Sequence, residues 1–185
     1  MDLSEPLGIN HIEGGLVGVD YSLDDVVVSN LSKCAVKSLK IDLDSLDMNI
    51  HLDCPHLSMF GKYNVTGMII AIFFEGLGET RIVAENYGLS IKGKLEEFIG
   101  EDDQKHVKVK NFIPKPHYGG KVVYNLTNLF YGNEMLATEA HKYINGNWKA
   151  VSEFGQAPIM SAALRLFFKN INKCLKPIPV QNIEF

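Results

Sequence analysis

The chain of 185 residues changes its hydrophobic period part-way along. Over residues 10–130 apolar and polar residues alternate, which is the two-residue period of β-strands. Over residues 133–175 the period becomes helical, and a continuous helix of that length would be roughly 60 Å long. Such a helix must pack its apolar residues against a surface of its own length, and the predicted sheet is the only other part of the chain that can provide one. The pattern therefore predicts an α+β fold in which an antiparallel sheet wraps one long helix, forming a container suited to an apolar guest.

Composition and charge fit a single domain over residues 1–185 and narrow its partners. Hydrophobic residues make up 46% and charged residues 22% of the chain, which is ordinary for a globular domain. The net charge of −4, without a run of Lys or Arg, gives no reason to expect nucleic acid or an anionic membrane surface. The longest apolar run, residues 68–74, is too short to span a bilayer. The polar, acidic start does not resemble a signal peptide, so the protein is either cytoplasmic or begins after its signal.

A β-hairpin is predicted around Ser45, because residues 39–44 and 46–54 alternate in opposite phase. In a hairpin centred near Leu46, Cys54 falls opposite Ser38, so the spacing predicts that Cys34 and Cys54 do not pair. Pro55 is expected to interrupt the second strand.

The remaining strands carry three expectations. Continuous apolarity over residues 68–74 predicts a segment buried on both faces or a strand covered by another layer. Residues 82–95 and 122–126 alternate as half-buried strands, and residues 114–120, rich in Pro and Gly, predict a break between strands.

The helical segment has a start and a stop. Asn133 suits an N-cap, and Pro177 prevents continuation at the other end. Pro158 should kink the helix, and Gly146 and Gly155 weaken it, so we expect a bend between its halves. The apolar stripe comprises Leu136, Ala140, Tyr143, Ile144, Val151, Phe154, Ala162, Leu166 and Phe167.

Motifs for catalysis or nucleotide binding are absent from the sequence, so we expect neither an enzyme nor a cofactor. The densest group of metal-ligand types is His51, Cys54 and His56. On a strand His51 and Cys54 point to opposite faces, which argues against a metal site. His141 in the helix is expected to be solvated or hydrogen-bonded. Sequons for glycosylation occur at Asn30, Asn64 and Asn125.

Tyr63, Tyr87 and Tyr124 lie on the apolar faces of their strands. Each phenol could bond a backbone carbonyl and fill the core, or could hold the polar group of a lipid-like ligand. The helix stripe has the same ambiguity, since core packing and tunnel lining need the same residue types. The candidate ligand-binding residues are Tyr63, Val65, Tyr87, Leu89, Ile91, Tyr124, Leu136, Tyr143, Ile144, Val151, Phe154 and Leu166.

Several segments, taken in order, resemble the insect takeout and juvenile-hormone-binding protein family. They are residues 31–43, 61–67, 106–112, 124–133 and 143–148, followed by Pro158 and a closing Ile-Pro. The resemblance implies a kinked C-terminal helix wrapped by a strongly curved antiparallel sheet, a super-roll with a hydrophobic tunnel inside. It also implies a secreted protein that transports juvenile-hormone-like terpenoids, fatty acids or similar lipids in haemolymph or sensory fluids.

One departure from the family concerns the N-terminus. Family members begin with a cysteine pair and an N-terminal helix that this chain does not match, which predicts a shortened member with one end of the tunnel less closed. Two hypotheses follow. The protein is a monomeric carrier of a small hydrophobic ligand, or its interior is filled or leaky and it acts as a protein-interaction or scaffold module. Neither involves nucleic acid or stable membrane insertion.

Overall fold

The computed structural model describes residues 6–16 and 18–182, with the side chains of Leu16 and Phe154 outside the description. Within these residues the chain forms seven strands followed by two helices. The strands are β1 (Leu7–Leu16), β2 (Val19–Ser29), β3 (Ala35–Asp42), β4 (Asp47–Ile69), β5 (Ile72–Ile99), β6 (Lys105–Tyr118) and β7 (Val122–Leu126). The helices are α1 (Glu134–Gly146) and α2 (Trp148–Leu175), and short 3₁₀ turns cover Leu31–Lys33, Phe130–Gly132 and Val180–Asn182.

The two longest strands, β4 and β5, form the centre of one antiparallel sheet. On the free side of β4, β3 pairs with residues 47–53 and β2 with residues 58–67, so the two shorter strands follow one another along its edge. On the free side of β5, β7 pairs with residues 80–84 and β6 with residues 87–99. β1 adds a further strand beside β2. Four connections are hairpins, β1–β2, β3–β4, β4–β5 and β5–β6, whereas β2–β3 and β6–β7 link strands that lie one after the other along the same edge of β4 or β5.

The sheet is strongly curved, and the strand lengths require it to be. β5 has 28 residues and would extend about 90 Å if it were straight. Register shifts between Asp24 and Val27, between Val36 and Ser38, and between Lys94 and Leu95 interrupt the ladders. Such bulges bend strands and increase their twist. The α+β fold with a curved sheet and a C-terminal helix is confirmed.

The helical segment is interrupted at Asn147 and not at Pro158. The Asn133 side chain accepts a hydrogen bond from the Leu136 amide at 3.2 Å, which confirms the predicted N-cap. Asn147, directly after Gly146, has φ −109° and ψ 26°, so α1 ends there and α2 begins at the next residue. α2 continues through Pro158. The helical segment is divided into two parts as expected, but the division lies at Gly146 and Asn147.

Two asparagines fasten the helices to β7 and β6, the strands that pair with β5 on its free side. The Asn145 carboxamide accepts from the Tyr124 amide at 2.8 Å and donates to the Tyr124 carbonyl at 2.9 Å. Asn172 makes the same pair of bonds with Val109, at 2.8 and 2.9 Å. His141 Nε2 accepts from the Leu126 amide at 3.0 Å while its Nδ1 donates to Ala137 O at 2.7 Å, so this histidine is hydrogen-bonded, as predicted. These side chains satisfy backbone groups that the ladder leaves unpaired.

The buried core has two clusters, of which the first contains buried residues of α1 and the second contains buried residues of α2. The first includes Val26, Phe74, Leu129 and Ile144. The second includes Ile91, Leu95, Leu164 and Phe168. Because both clusters combine strand and helix residues, the interior is one long layer between sheet and helices.

A disulfide joins Cys34 to Cys54, so the prediction that these cysteines do not pair was wrong. The hairpin turns earlier than the sequence suggested, since Asp42 pairs with Asp47. The register shift between Val36 and Ser38 then brings Ala35 opposite Asp53. Continued by one residue, this register places Cys34 opposite Cys54, with their Cα atoms 4.1 Å apart. Cys174 is a free thiol.

Prolines do not break the strands where the sequence predicted breaks. Pro55 lies within β4, between the residues that pair with β3 and those that pair with β2, so it falls in a gap along that edge. Pro114 and Pro116 lie within β6, at the outer edge of the sheet. Proline is tolerated at both kinds of position because no neighbouring strand needs its missing N–H.

The apolar run over residues 68–74 is less buried than the sequence predicts. It forms the tip of the β4–β5 hairpin, where Ile70 has φ 60°. Met68, Ile70 and Phe73 are each between 43% and 51% exposed, so the segment is not buried on both faces. Only Phe74 in this run belongs to the core.

Candidate functional site

A cavity of ≈ 450 Å³ lies between the concave side of the sheet and the helices. All seven strands and both helices contribute to its wall. The lining residues of α2 include Val151, Ile159, Leu164 and Phe167, and Ile144 of α1 also lines the cavity. The cavity borders residues of both core clusters, so it follows the long axis of the interior. Its volume is within the range of small-molecule binding sites.

Among the lining residues that the structure describes, none carries a charge. Polarity is limited to hydroxyl groups, one carboxamide and the disulfide. The polar lining residues are Tyr21, Ser32, Ser58, Tyr63, Thr80, Tyr87, Tyr118, Tyr124, Ser152 and Gln156. A wall of this kind suits an apolar molecule with few polar atoms.

Two of the five lining tyrosines are anchored to the backbone. Tyr63 Oη donates to Thr127 O at 2.8 Å, and Tyr21 Oη donates to Gly155 O at 2.6 Å. For Tyr63 the structure therefore agrees with the simpler of the two roles that the sequence left open. Tyr21 was not singled out from the sequence, although it shares the alternating pattern of β2 with buried Val19 and Leu23.

Two further tyrosines are anchored to polar side chains of α2. Tyr87 Oη donates to Gln156 Oε1 at 3.1 Å. Tyr124 Oη lies 2.6 Å from Ser152 Oγ, and Ser152 Oγ donates to the Trp148 carbonyl at 2.8 Å. Because serine has a single hydroxyl proton, Tyr124 is the donor in its bond with Ser152.

Tyr118 is the exception among the five. Neither its buried Oη nor Thr80 Oγ1 makes a hydrogen bond of ordinary geometry, although Gln156 and Ser152 lie near enough to the Tyr118 hydroxyl to act on its pKa. Both residues line the cavity. Tyr118 is opposite Tyr87 in the β5–β6 register, and its ring also meets Trp148 edge-on with the centroids 5.5 Å apart. Unpartnered buried hydroxyls are rare and call for an explanation.

The phenols are all neutral at physiological pH. Burial raises the pKa of Tyr21, Tyr63 and Tyr124 to about 12, and it also raises the pKa of Tyr87, with contributions from Tyr118 and Tyr124. The pKa of Tyr118 is raised mainly by burial; hydrogen bonding to Gln156 and Ser152 opposes the shift, and the negative charge of Glu153 adds to it. The tyrosines therefore offer dipoles to the cavity and no charge.

The sequence-based candidates are divided by the structure into two groups. Tyr63, Val65, Tyr87, Leu89, Tyr124, Ile144 and Val151 line the cavity. Ile91 is a buried member of the second core cluster, Tyr143 and Leu166 pack against the first cluster, and Leu136 is 46% exposed. Phe154 lies outside the residues whose side chains are described. The apolar stripe is thus wider than the part of it that faces the cavity.

The remaining candidates for metal binding and glycosylation have ordinary surroundings. Cys54 is in the disulfide, and His51 Nδ1 lies 3.0 Å from Ser90 Oγ, so His51 and Cys54 do not converge with His56 on a metal. Within the described residues no group of three or more metal-ligand types could hold an ion. Asn64 and Asn125 are exposed, whereas Asn30 is half-buried and donates to Ser58 Oγ at 3.5 Å. Over the same residues, neither helix combines the length and apolarity needed to cross a bilayer.

The family model for haemolymph juvenile hormone binding protein matches residues 4–183. The chain belongs to this family. Among solved structures, Takeout 1 of Epiphyas postvittana is similar, with 25% sequence identity, coverage of 96% of this chain and 82% of that chain, and a TM-score of 0.89. A lipopolysaccharide binding protein aligns more weakly, with 13% identity over 95% of this chain and 35% of its own, and a TM-score of 0.45. A comparison with curated proteins found no match.

These similarities confirm the resemblance drawn from the ordered sequence segments. Membership of this family supports a protein that binds a lipophilic ligand. The wrapped sheet and helix of this chain are those of the takeout structure.

Proposed function

We propose that this protein binds and carries a small hydrophobic ligand, such as a juvenile-hormone-like terpenoid, a fatty acid or a related lipid, in the cavity between sheet and helices, without catalysis. The observation that carries the proposal is the uncharged, largely apolar cavity of ≈ 450 Å³. A core filled by its own side chains would leave few voids larger than a water molecule. A cavity of this size in the middle of the domain is therefore better explained as the binding site of a ligand.

Family membership supports the same function. The matched family is defined by haemolymph proteins that bind juvenile hormone. Transport through an extracellular fluid is consistent with the Cys34–Cys54 disulfide, because such bonds persist mainly in oxidising compartments. We therefore extend the proposal to a secreted carrier that acts as a monomer.

One observation favours the alternative, an interaction module. The tip of the β4–β5 hairpin exposes Met68, Ile70 and Phe73 together. Exposed apolar groups of this kind can mark contacts with other proteins. The carrier and the interaction module differ in whether the interior takes up lipid.

The test is direct. Folded protein is purified, extracted with organic solvent, and the extract is examined by mass spectrometry for lipids absent from a mock purification. The stripped protein is then titrated with a fluorescent lipid probe, and candidate lipids compete for it. We expect a co-purified lipid or saturable probe binding with a stoichiometry near one. The carrier proposal fails if the extract holds no lipid and the probe does not bind.

A further inference from the structure

We infer that one end of the molecule docks reversibly on an uncharged lipid surface, such as a zwitterionic bilayer. This hairpin end comprises residues 67–74, which form the turn of the β4–β5 hairpin, and residues 130–136, which lead into α1. The docking goes beyond carrying a ligand in solution. The choice of a lipid surface as the partner rests on the proposed function, because a lipid carrier must collect or release its ligand where lipid is.

The β4–β5 turn presents apolar side chains to solvent on one face and to the cavity on the other. Met68 and Phe73 are directly opposite in the β4–β5 register and are 43% and 51% exposed. Ile69 and Phe74, which follow them in sequence, line the cavity. Because successive strand residues point to opposite faces, the exposed apolar surface is the outer side of the cavity wall.

A second exposed apolar segment lies beside the hairpin. Tyr131, Met135 and Leu136 are between 46% and 74% exposed. The ring of Phe130, directly before Tyr131, lies 5.9 Å from the ring of Phe74. This contact fixes both apolar segments at the same end of the wrapped sheet.

Both segments keep large apolar residues in a strained backbone conformation. Ile70 at the tip of the hairpin has φ 60°, and Tyr131 has φ 52°. This left-handed region is unfavourable for residues with a Cβ atom and is rare for a β-branched residue such as isoleucine. Glycine or asparagine would relieve the strain at either position. The strained apolar residues therefore call for a reason outside the fold, which contact with lipid supplies.

The charge of the hairpin end selects an uncharged lipid surface. Residues 67–74 contain no charged side chain, and residues 128–137 contain one, Glu134. An anionic membrane is recognised by clusters of Lys and Arg, which neither segment supplies. Apolar and aromatic side chains are the ones that enter the boundary between head groups and acyl chains.

The shape of the hairpin end fits a lipid surface better than a protein partner. β2 pairs with β4 only as far as Gly67, so the turn extends beyond this neighbouring strand. A projecting apolar tip can enter a lipid surface to a shallow depth. A stable protein interface instead buries about 800 Å² on each side and has a polar rim. The uncharged tip supplies no such rim.

The experiment is flotation of the full-length protein with vesicles of phosphatidylcholine. We expect a partition coefficient of about 10⁴ M⁻¹, the order found for a single acyl anchor, so that at about 1 mM lipid most of the protein floats. The value should change less than about twofold between about 50 mM and about 500 mM NaCl, because no charge pairing is involved.

Two variants of the tip and a matched control assign the surface. Met68→Ser with Phe73→Ser should reduce the partition coefficient about tenfold, because two apolar side chains no longer enter the lipid. It should leave equilibrium binding of a fluorescent lipid probe unchanged, since neither residue lines the cavity. Ile113→Ser is the control: Ile113 is 73% exposed but pairs with Lys92 on the β5–β6 ladder, far along β5 from the turn.

Ile70→Asn separates loss of docking from loss of folding. Asparagine tolerates the left-handed region, so the melting temperature should rise or stay the same. Vesicle flotation should nevertheless fall about threefold, because an apolar side chain is removed from the tip.

The inference fails if the wild-type protein stays with the unbound fraction at about 1 mM phosphatidylcholine. It also fails if flotation requires anionic lipid or disappears at the higher salt concentration, or if the two tip variants float as well as Ile113→Ser does. Self-association through the tip without flotation would assign this end to a protein contact instead. Each of these results leaves the carrier proposal standing as long as the fluorescent probe binds. Absence of probe binding together with normal flotation would refute the carrier and retain the docking surface.

Discussion

Tyr87 and Tyr118 are opposite each other on β5 and β6, with their rings edge to face and the centroids 5.8 Å apart, yet only Tyr87 makes a hydrogen bond of ordinary geometry. The two phenols share a wall of the same cavity. Tyr87 is tied to Gln156 of α2 and so connects the sheet to the helix. The Tyr118 hydroxyl makes no hydrogen bond of ordinary geometry and only weakly engages the same region of α2, through Gln156 and Ser152.

This difference predicts that removing the two hydroxyls lowers the stability of the ligand-free protein by unequal amounts. Tyr87→Phe should lower the free energy of unfolding by about 1–2 kcal/mol, because a partly buried hydrogen bond is lost and Gln156 Oε1 loses its donor. Tyr118→Phe should cost less than ~0.5 kcal/mol, since no bond is lost. Urea unfolding of both variants measures the two values. A cost for Tyr118→Phe equal to that for Tyr87→Phe would show that the Tyr118 hydroxyl has a partner in solution.

The disulfide is expected to contribute to stability. Cys34 and Cys54 are separated by 20 residues in sequence, for which the loop-closure model gives a stabilisation of about 3 kcal/mol. The double variant Cys34→Ser with Cys54→Ser should lose about this much in urea unfolding under non-reducing conditions. Cys174→Ser is the matched control, because Cys174 is a free thiol and its loss opens no bridge. Thiol titration of the unfolded wild-type protein should find one reactive cysteine, and three would contradict the bridge.

The general architecture could be read from the sequence because it depends on periodicity alone. Alternation on β4 and β5 and the helical period after Asn133 are long, repeated signals. A wrongly placed turn or strand end therefore does not change the predicted fold class. The turn of the β3–β4 hairpin is a local feature. Placing its centre at Leu46, when Asp42 pairs with Asp47, was enough to separate Cys34 from Cys54. The bulge after Val36 added to the error, and no residue pattern marks it.

Tyr118 was missed for a related reason. The Pro- and Gly-rich composition of residues 114–120 predicts a break, and a strand that ends there does not reach Tyr118. Along β6, however, Phe112, Pro114, Pro116 and Tyr118 are half-buried while the residues between them are exposed. Continuing the parity of Phe112 through the prolines would have placed Tyr118 on the inner face. Hydrogen-bond partners across the interior, such as Gln156 for Tyr87, depend on how helix and sheet are docked and have no signature in the sequence.

Gly155 gives a way to block the cavity without disturbing the fold. It lines the cavity, and a Cβ atom at this position would meet no other atom within 4 Å. Gly155→Phe should therefore extend a ring into the cavity and reduce probe affinity about tenfold or more, equivalent to ~1.4 kcal/mol. The melting temperature should not fall, because glycine within a helix is itself destabilising by about 0.5–1 kcal/mol.

Gly146 provides the matched control for this substitution. It is also in a helix with open space around its Cβ position, but it is exposed and does not line the cavity. Gly146→Phe should leave probe binding unchanged. If Gly155→Phe binds the probe as well as Gly146→Phe does, the probe is not held in this cavity.

The buried tyrosines predict an alkaline limit to stability. The pKa of Tyr21, Tyr63 and Tyr124 is about 12 in the folded protein, against an ordinary value of about 10 in the unfolded chain. Because the folded state holds these protons more tightly, their contribution to stability is complete below about pH 10 and is lost as the pH rises towards about 12. Alkaline titration followed by tyrosinate absorbance should show a group of phenols that ionise together with the loss of the near-ultraviolet circular dichroism signal. The same titration in urea should show every tyrosine ionising near the ordinary value. Reversible ionisation of all tyrosines near pH 10 with the dichroism signal intact would mean that these phenols are in contact with water, and that the cavity they line is open to solvent.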